Sequence, residues 1–249
     1  GTKYALTTNT CTTAFQICLK YFNVKDKDIL VPSGSFQTNI SAIKWSGGNP
    51  ILVDLNPETL TYSLNDLKKK ITKKTIGMIW VHVTGFISPE YKSIINFAKQ
   101  NNLFIIEDCA HAHGAKIDNK MAGNIGDAGC FSFYPSKIIT TGTGGMLTTN
   151  DIKLANYTKQ MRFFGRDIKG RGVLLEGNDW FMDEIRACVG YHQMNDLKKI
   201  LNRRRKIAKI YNFFFKKSRH IKLINLPKNV KGSYYQYPIF IFNKTLRQK

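Results

Sequence analysis

Short apolar segments rich in β-branched and aromatic residues recur along the chain, and this pattern is typical of buried strands. They are DILV (28–31), ILVDL (51–55), IGMIWVHV (76–83), LFIIED (103–108), AGCFSF (128–133) and GMLTT (145–149). Apolar residues recur at helical spacing in the stretches between most of them, at 13–22, 36–44, 64–71, 91–100 and 152–163. Strands that alternate with helices predict parallel crossovers, and therefore an α/β fold whose sheet is covered on both faces.

The pattern changes towards the C-terminus. A longer run of helical spacing extends from Asp183 towards Tyr211, and SYYQYPIFIF (233–242) follows it with a strand-like ending. We therefore predict a large domain over residues 1–185 and the start of a smaller C-terminal α+β domain over residues 186–249.

Composition adds a strong charge and few other constraints. The 249 residues are 43% hydrophobic, enough for a substantial core, and the formal charge of +21 suggests an acidic partner such as nucleic acid, an anionic membrane or a phosphorylated molecule. The basic runs at 68–70, 73–74, 203–205 and 216–217 fall on predicted helix faces or ends, where such runs are usually solvated. No reader motif or aromatic-lined basic stripe accompanies them, so we predict no nucleic-acid partner.

Cysteine usage and hydropathy point to a cytoplasmic protein. The five cysteines are scattered without CxxC pairs or metal-ligand spacing, and they predict reduced core thiols and no metal site. No apolar stretch approaches the roughly 18 residues that suggest a membrane span. We predict no membrane partner.

Ligands of open α/β sheets bind at the carboxyl ends of the strands, so residues after each strand are candidates. TNTCTTA (8–14) is a hydroxyl-rich turn that opens a helix, and it fits either a phosphate site or an ordinary helix cap. In PSGSFQTN (32–39), Phe36 follows a strand and could face a ligand or pack in the core.

Two further candidates carry ionisable groups. IIEDCAHAHGA (105–115) ends a buried strand in carboxylates, and Asp108 needs a donor or a cation there unless it is only a cap. His111 and His113 fit local packing or, less well, zinc, because no third ligand follows at suitable spacing. Lys137 follows AGCFSF and could react with a carbonyl, although most lysines in so basic a chain are solvent-exposed.

Together and in this order, these segments resemble the DegT/DnrJ/EryC1/StrS family of pyridoxal-phosphate-dependent nucleotide-sugar aminotransferases. EDCAHAHGA and GCFSFYPSK are the specific part of the resemblance. It implies a three-layer α/β/α large domain with a mainly parallel sheet and pyridoxal 5′-phosphate as cofactor. The implied roles are a covalent bond to the cofactor and proton transfer for Lys137, pairing with the pyridinium nitrogen for Asp108, the phenolic oxygen for His111, ring stacking for Phe36, and phosphate binding for Thr12, Thr13 and Ser132.

The chain departs from the family pattern in two segments. Cys11 stands where many members have glycine before the threonine of the phosphate turn. GNDWFM (177–182) has Asp179 and Phe181 in the segment where many members carry asparagine and then arginine, which a neighbouring subunit contributes to the phosphate. We expect Asn178 to substitute in that contact. We also expect that the chain lacks the family's usual N-terminal segment and ends before its small domain is complete.

The resemblance implies transfer of an amino group, with glutamate as the expected donor, to a keto group of a nucleotide-linked sugar in cell-surface polysaccharide or related synthesis. It also implies a homodimer with a shared active site. A sugar dehydratase relative is one competing hypothesis, but those members carry histidine in place of the lysine, so Lys137 favours the aminotransferase. A catalytically silent truncated homologue and a basic nucleic-acid-binding module are two more competing hypotheses.

Overall fold

The computed structural model describes residues 1–167 and 169–241. Its strands are β1 (Tyr4–Thr8), β2 (Asp28–Pro32), β3 (Asn49–Val53), β4 (Thr75–Val81), β5 (Phe104–Asp108), β6 (Lys116–Ile117), β7 (Lys120–Met121), β8 (Ala128–Ser132), β9 (Gly145–Thr149), β10 (Ile221–Leu223), β11 (Val230–Lys231) and β12 (Ile239–Ile241). Its α-helices are α1 (Cys11–Tyr21), α2 (Gln37–Trp45), α3 (Leu64–Lys70), α4 (Tyr91–Gln100), α5 (Ile152–Met161) and α6 (Glu184–Phe215), and a 3₁₀ turn spans Val83–Gly85.

Seven strands form the central sheet in the order β1-β9-β8-β5-β4-β2-β3. Neighbouring strands from β8 to β3 are parallel, and β9 runs antiparallel to both of its neighbours, β1 and β8. The sheet is therefore mainly parallel, as predicted, and the carboxyl ends of β1, β2, β4, β5 and β8 lie on one edge.

The sheet separates two apolar cores. Alternate residues of β4 point to opposite faces: Ile79 and Val81 pack in the core with α1, α2 and α5, whereas Met78 and Trp80 pack in the core with α3 and α4. This alternation follows from the period of two in a strand. Burial on both faces explains why the segment is one continuous apolar run, and it confirms the predicted α/β/α layers.

The predicted elements are found where the pattern places them. All six predicted strands and all five predicted helices of the first 163 residues are present, with ends shifted by a few residues. The sequence pattern missed β1, a five-residue strand that pairs with β9 over its full length. Its segment YALTT contains only one long aliphatic side chain, so the local pattern carries little signal.

The predicted change near residue 185 coincides with one long helix. α6 begins at Glu184, runs for 32 residues, and so crosses the predicted boundary without a break. After it, β10 pairs with β12, and β11 pairs with β6 of the preceding part of the chain. The division into domains 1–185 and 186–249 stays a prediction, and residues 242–249 lie outside the described part.

Only the last part of SYYQYPIFIF is a strand within the described residues. β12 covers Ile239–Ile241, whereas residues 233–237 form an irregular segment. Isolated hydrogen bonds hold this segment in place of a strand ladder: the backbone N–H of Ser233 donates to the carbonyl oxygen of Gly85, and Ser233 Oγ donates to that of His111.

Two expectations from composition need correction. Lys68–Lys70, Lys73, Lys74, Lys216 and Lys217 are exposed, as expected, but Arg204 and Arg205 are half-buried and bind backbone carbonyls. Cys18, Cys109 and Cys130 are buried, whereas Cys188 is exposed on α6, so the prediction of a core thiol was wrong there. No helix within residues 1–167 and 169–241 is long and apolar enough to cross a membrane.

Candidate active site

The predicted site residues collect along the carboxyl edge of the sheet. Asp108 ends β5 and Ser132 ends β8, Lys137 follows β8 by one turn, and α1 opens three residues after β1. Parallel strands bring their carboxyl ends to the same edge, so segments far apart in sequence become neighbours there.

The start of α1 presents unpaired donors to this edge. Thr10 is the N-cap, and its Oγ1 accepts a hydrogen bond from the N–H of Thr13 at 3.1 Å. The N–H groups of Cys11 and Thr12 have no acceptor within the helix, as expected of a first turn. The hydroxyl of Thr13 is used differently, because it donates to Oδ1 of Asn9 at 2.6 Å. Of the two predicted threonines, Thr12 is thus the one with a hydroxyl free for a ligand among the described residues.

Ser132 lies near this helix start because a single strand, β9, lies between β8, which Ser132 ends, and β1, which leads into α1. Ser132 and Thr8 are both cross-strand neighbours of Gly145, the first residue of β9. A side chain at Gly145 would collide with the backbone of Thr10 and Cys11. The absence of a Cβ at this position therefore lets the end of β8 and the first turn of α1 lie close together.

Asp108 is a buried carboxylate with neutral donors. Its Oδ2 accepts from Nδ2 of Asn39 at 2.9 Å, and its Oδ1 accepts from the N–H of Ala110 at 3.0 Å. Asn39 is itself buried, one turn into α2. A carboxylate has about four acceptor positions, so these two bonds leave Asp108 able to accept from a further donor.

Glu107, the residue before Asp108, is held by hydrogen bonds inside the fold. It is fully buried, and its two oxygens accept from Nε2 of His82 and from the backbone N–H groups of Gly123, Ile125 and Gly126 at 2.7–2.9 Å. Four donors offset the cost of burying one carboxylate. Although His82, Glu107 and Cys109 place possible metal ligands within 4.8 Å of one another, the oxygens of Glu107 are already occupied by these donors.

The two histidines after β5 are both held neutral. Burial and the charge of Lys137 lower the pKa of His111 to about 4, although Asp108 opposes the shift. The same two causes lower the pKa of His113 to about 3. His113 is 3% exposed, its ring packs against Phe131 and Phe133, and neither ring nitrogen has a partner in the described part of the chain.

The turn that carries Lys137 is anchored at both ends. Its backbone N–H donates to the carbonyl of Tyr134 at 2.9 Å, and the next residues, Ile138 and Ile139, are buried in a small core with Phe133. The half-buried side chain of Lys137 projects from this anchored turn. Its charge acts on the Cys11 thiol together with that of Asp108: burial raises the pKa of Cys11, Asp108 adds to the rise, and Lys137 opposes it.

Two predicted residues lie at the margin of this site. Phe36 is the N-cap residue of α2, 68% exposed, and three residues before Asn39, which donates to Asp108. Asn178 is exposed, and its Oδ1 accepts from the N–H of Asp179 at 2.8 Å. The nearby Asn9 donates its N–H to Trp180, which places the segment 178–180 next to the start of α1.

The sequence reasoning missed two residues of the site. Asn39 lies in the same segment as Phe36, and a polar residue at i+3 on the buried side of a helix start was the available signal. Tyr235, whose ring contacts both Lys137 and His111, comes from the irregular segment after α6. No local sequence signal points to that contact, because it depends on tertiary packing.

In this α/β protein one lysine, one buried aspartate and one helix start thus lie along the same edge of the sheet. The whole chain, residues 1–249, matches the DegT/DnrJ/EryC1/StrS aminotransferase family. The chain therefore belongs to this family, which confirms the resemblance carried by its motifs.

Known relatives agree in sequence and in structure. The chain is 34% identical to the GDP-perosamine synthase of Escherichia coli O157:H7, over 99% of this chain and 67% of that protein. It is also 34% identical to the dTDP-3-amino-3,6-dideoxy-alpha-D-galactopyranose transaminase of Aneurinibacillus thermoaerophilus, over 97% of this chain and 65% of that protein.

Among solved structures, a DegT/DnrJ/EryC1/StrS aminotransferase from Brucella abortus superposes with a TM-score of 0.91 at 28% identity, over 98% of this chain and 67% of that one. The chain thus shares the fold of the family's aminotransferases. It spans about two thirds of the length of the relatives it matches.

Proposed function

We propose that this protein is a pyridoxal-phosphate-dependent aminotransferase that acts on a keto group of a nucleotide-linked sugar. The observation that carries the proposal is the convergence, on one sheet edge, of a lysine on an anchored turn, a buried carboxylate and a helix start whose first N–H groups have no partner among the described residues. A lysine can bond to an aldehyde, a carboxylate can pair with a protonated ring nitrogen, and free N–H groups at a helix start can bind a phosphate.

The donor set fits the cofactor. The N–H groups at the start of α1, the hydroxyl of Thr12 and that of Ser132 suit a phosphate, which helix N-termini bind through their dipole and free donors. Asp108 has acceptor capacity left for a protonated ring nitrogen. Nδ1 of the neutral His111 ring is buried and unpartnered among the described residues, which suits a contact to the phenolic oxygen. Phe36 would cover one ring face. Thr13 supports the phosphate turn through Asn9.

The bound cofactor would supply an electron sink for the carbanion formed at the reacting carbon. Asp108 would keep the ring nitrogen protonated, and a charge-assisted hydrogen bond of this kind contributes roughly 1.5–3 kcal/mol. Asn39 fixes the carboxylate for that task. Lys137 would bond to the cofactor and, once the amino donor releases it, would move a proton between the reacting carbon and the cofactor.

The substrate class and the biological role are argued from the relatives. The relatives include a GDP-perosamine synthase and a dTDP-amino-sugar transaminase, which supports a nucleotide-linked sugar as substrate and polysaccharide or related synthesis as the role. Glutamate as amino donor, a cytoplasmic location and a homodimer remain predictions. The exposed Asn178 would complete the phosphate site of a second subunit in that dimer.

Covalent trapping tests the proposal. We expect added pyridoxal phosphate to produce a visible absorption band, and borohydride followed by peptide mapping to recover the adduct on Lys137. Lys137→Arg should abolish the adduct, whereas Lys120→Arg, which changes an exposed lysine of β7, should not. An adduct on another lysine, or none, would contradict the proposal. Salt-sensitive nucleic-acid binding without cofactor absorbance would instead favour the basic binding module.

A further inference from the structure

We propose that Tyr235 is a positioning residue of this site. Its ring receives the ammonium group of Lys137 whenever that lysine is not bonded to cofactor, and it fixes the ring of His111 beside it. The inference rests on the proposed function, because it assigns a role at the same lysine.

Three contacts place Tyr235 between two loops. Nζ of Lys137 lies 4.7 Å from the centroid of its ring. The ring of His111 stacks on it, with centroids 4.2 Å apart and planes 20° from parallel. Its hydroxyl lies 3.1 Å from Oγ of Ser136, the residue before the lysine. Tyr235 thus connects the loop after β5 with the turn after β8.

The backbone around Tyr235 is held by buried hydrogen bonds. Ser233 Oγ donates to the carbonyl oxygen of His111 at 2.7 Å, and the backbone N–H of Ser233 donates to that of Gly85 at 2.9 Å. Gly85 has φ +100°, and a side chain there would collide with Ser233 and His111. This close approach joins the segment to the loop that carries His111.

Two arginines of α6 hold the same segment from the other side. Nη1 of Arg204 donates to the carbonyl oxygen of Tyr234 at 3.0 Å, and Nε of Arg205 donates to that of Gly232 at 2.9 Å. Backbone anchored on both sides of Tyr235 gives its ring a defined location. The backbone that carries the ring is therefore anchored by bonds that do not involve Lys137.

The ring is suited to hold a lysine that must leave and return. Within the described residues no carboxylate forms an ion pair with Lys137. A tyrosine face attracts an ammonium group through its quadrupole without the strong, directional bond of a carboxylate. After release, a flexible four-carbon side chain would otherwise adopt many rotamers, and restricting it again would cost conformational entropy. Holding its ammonium group near the reacting atoms reduces that entropic cost.

A spectroscopic test needs neither cofactor nor turnover. Lysines of the cofactor-free protein are reductively dimethylated with ¹³C-formaldehyde and a borane reductant, and Lys137→Arg identifies the signal of Lys137. We expect the methyl protons of that signal to be shifted upfield by the ring and to show nuclear Overhauser effects to ring protons of Tyr235. A Lys137 signal at the position of exposed lysines, without such effects, would overturn the proposal.

Variants separate the ring from the hydroxyl. Tyr235→Leu should move the Lys137 signal to the position of exposed lysines, and Tyr235→Phe should keep it shifted. Tyr237→Phe is the matched control, because Tyr237 lies in the same segment but bonds Asn212 of α6. An unchanged signal in Tyr235→Leu would overturn the proposal. If that variant does not fold, the wild-type and Tyr235→Phe spectra decide.

A kinetic measurement distinguishes this inference from the proposed function. Tyr235→Leu should still form the trapped adduct on Lys137, but its single-turnover reaction with the amino donor should slow by about tenfold, since the released lysine is no longer held. Tyr235→Phe should recover most of the rate. Equal rates in all three proteins would overturn the role of Tyr235. If wild type forms no adduct, the proposed function fails, and the spectroscopic contact alone decides the inference.

Discussion

The buried ring of His113 should make this protein less stable in mild acid. His113 packs against Phe131 and Phe133, and its nitrogens have no partner among the described residues. The perturbation is His113→Phe, which keeps a flat ring of similar size in an aromatic environment and removes the titrating group.

The magnitude follows from the difference in pKa between the two states. Burial lowers the pKa of His113 in the folded protein from 6.5 to about 3. Above the unfolded pKa neither state binds the proton, so there is no effect. As the pH falls below it, the unfolded chain takes up a proton that the folded protein does not, and stability is lost towards the folded pKa. At about pH 5 this loss amounts to about 2 kcal/mol.

Urea denaturation of the cofactor-free protein, followed by tryptophan fluorescence from about pH 7.5 to about pH 5, measures the effect. Wild type should lose about 2 kcal/mol more than His113→Phe over this range. His192→Phe, at an exposed position of α6, is the control and should retain the wild-type slope. Parallel curves for wild type and His113→Phe would refute the assignment of a buried, neutral His113.

Three substitutions around β5 test the division of roles between neighbouring carboxylates. Glu107→Gln presents an amide to donors that now bind a carboxylate, and we expect it to lower the free energy of unfolding by about 3–5 kcal/mol, measured by denaturation; a loss below about 1 kcal/mol would contradict a buried charge held by four donors. Asp108→Asn should still bind cofactor but lose most of the transamination rate, and unchanged turnover in a coupled assay would remove its electronic role. Asn39→Leu should lower the transamination rate while the trapped adduct still forms, and a wild-type rate would show that Asn39 does not orient Asp108.

Local sequence patterns predicted most of the fold because the strands buried on both faces are continuous apolar runs. β4 and β5 are examples, and α4 has the predicted bounds, Tyr91–Gln100. The sequence pattern did not predict β1, because its five residues carry little local signal and its pairing partner, β9, lies far along the chain. The aromatic residues of segment 233–237 are typical of a strand, but hydrogen bonds from the backbone N–H and the hydroxyl of Ser233 hold this segment in an irregular conformation.

The candidate site was predictable only in part, because some of its contacts depend on residues that are distant along the chain. Asp108 and Ser132 each end a strand, Lys137 follows one, and the family resemblance assigns all three roles in one site. Asn39 and Tyr235 have no such position, and their contacts with Asp108 and Lys137 arise from packing.

The sequence by itself determined the layered α/β architecture, the family and the residues at the ends of the strands, because these depend on local pattern and on motif order. Tertiary structure decided which donors surround Asp108, why Glu107 can be buried next to it, and which ring Lys137 contacts. Those contacts join β5, α2 and the segment after α6, which are distant along the chain. A hydrogen bond or a ring contact depends on distances of a few ångströms, and only the packing of those elements sets such distances.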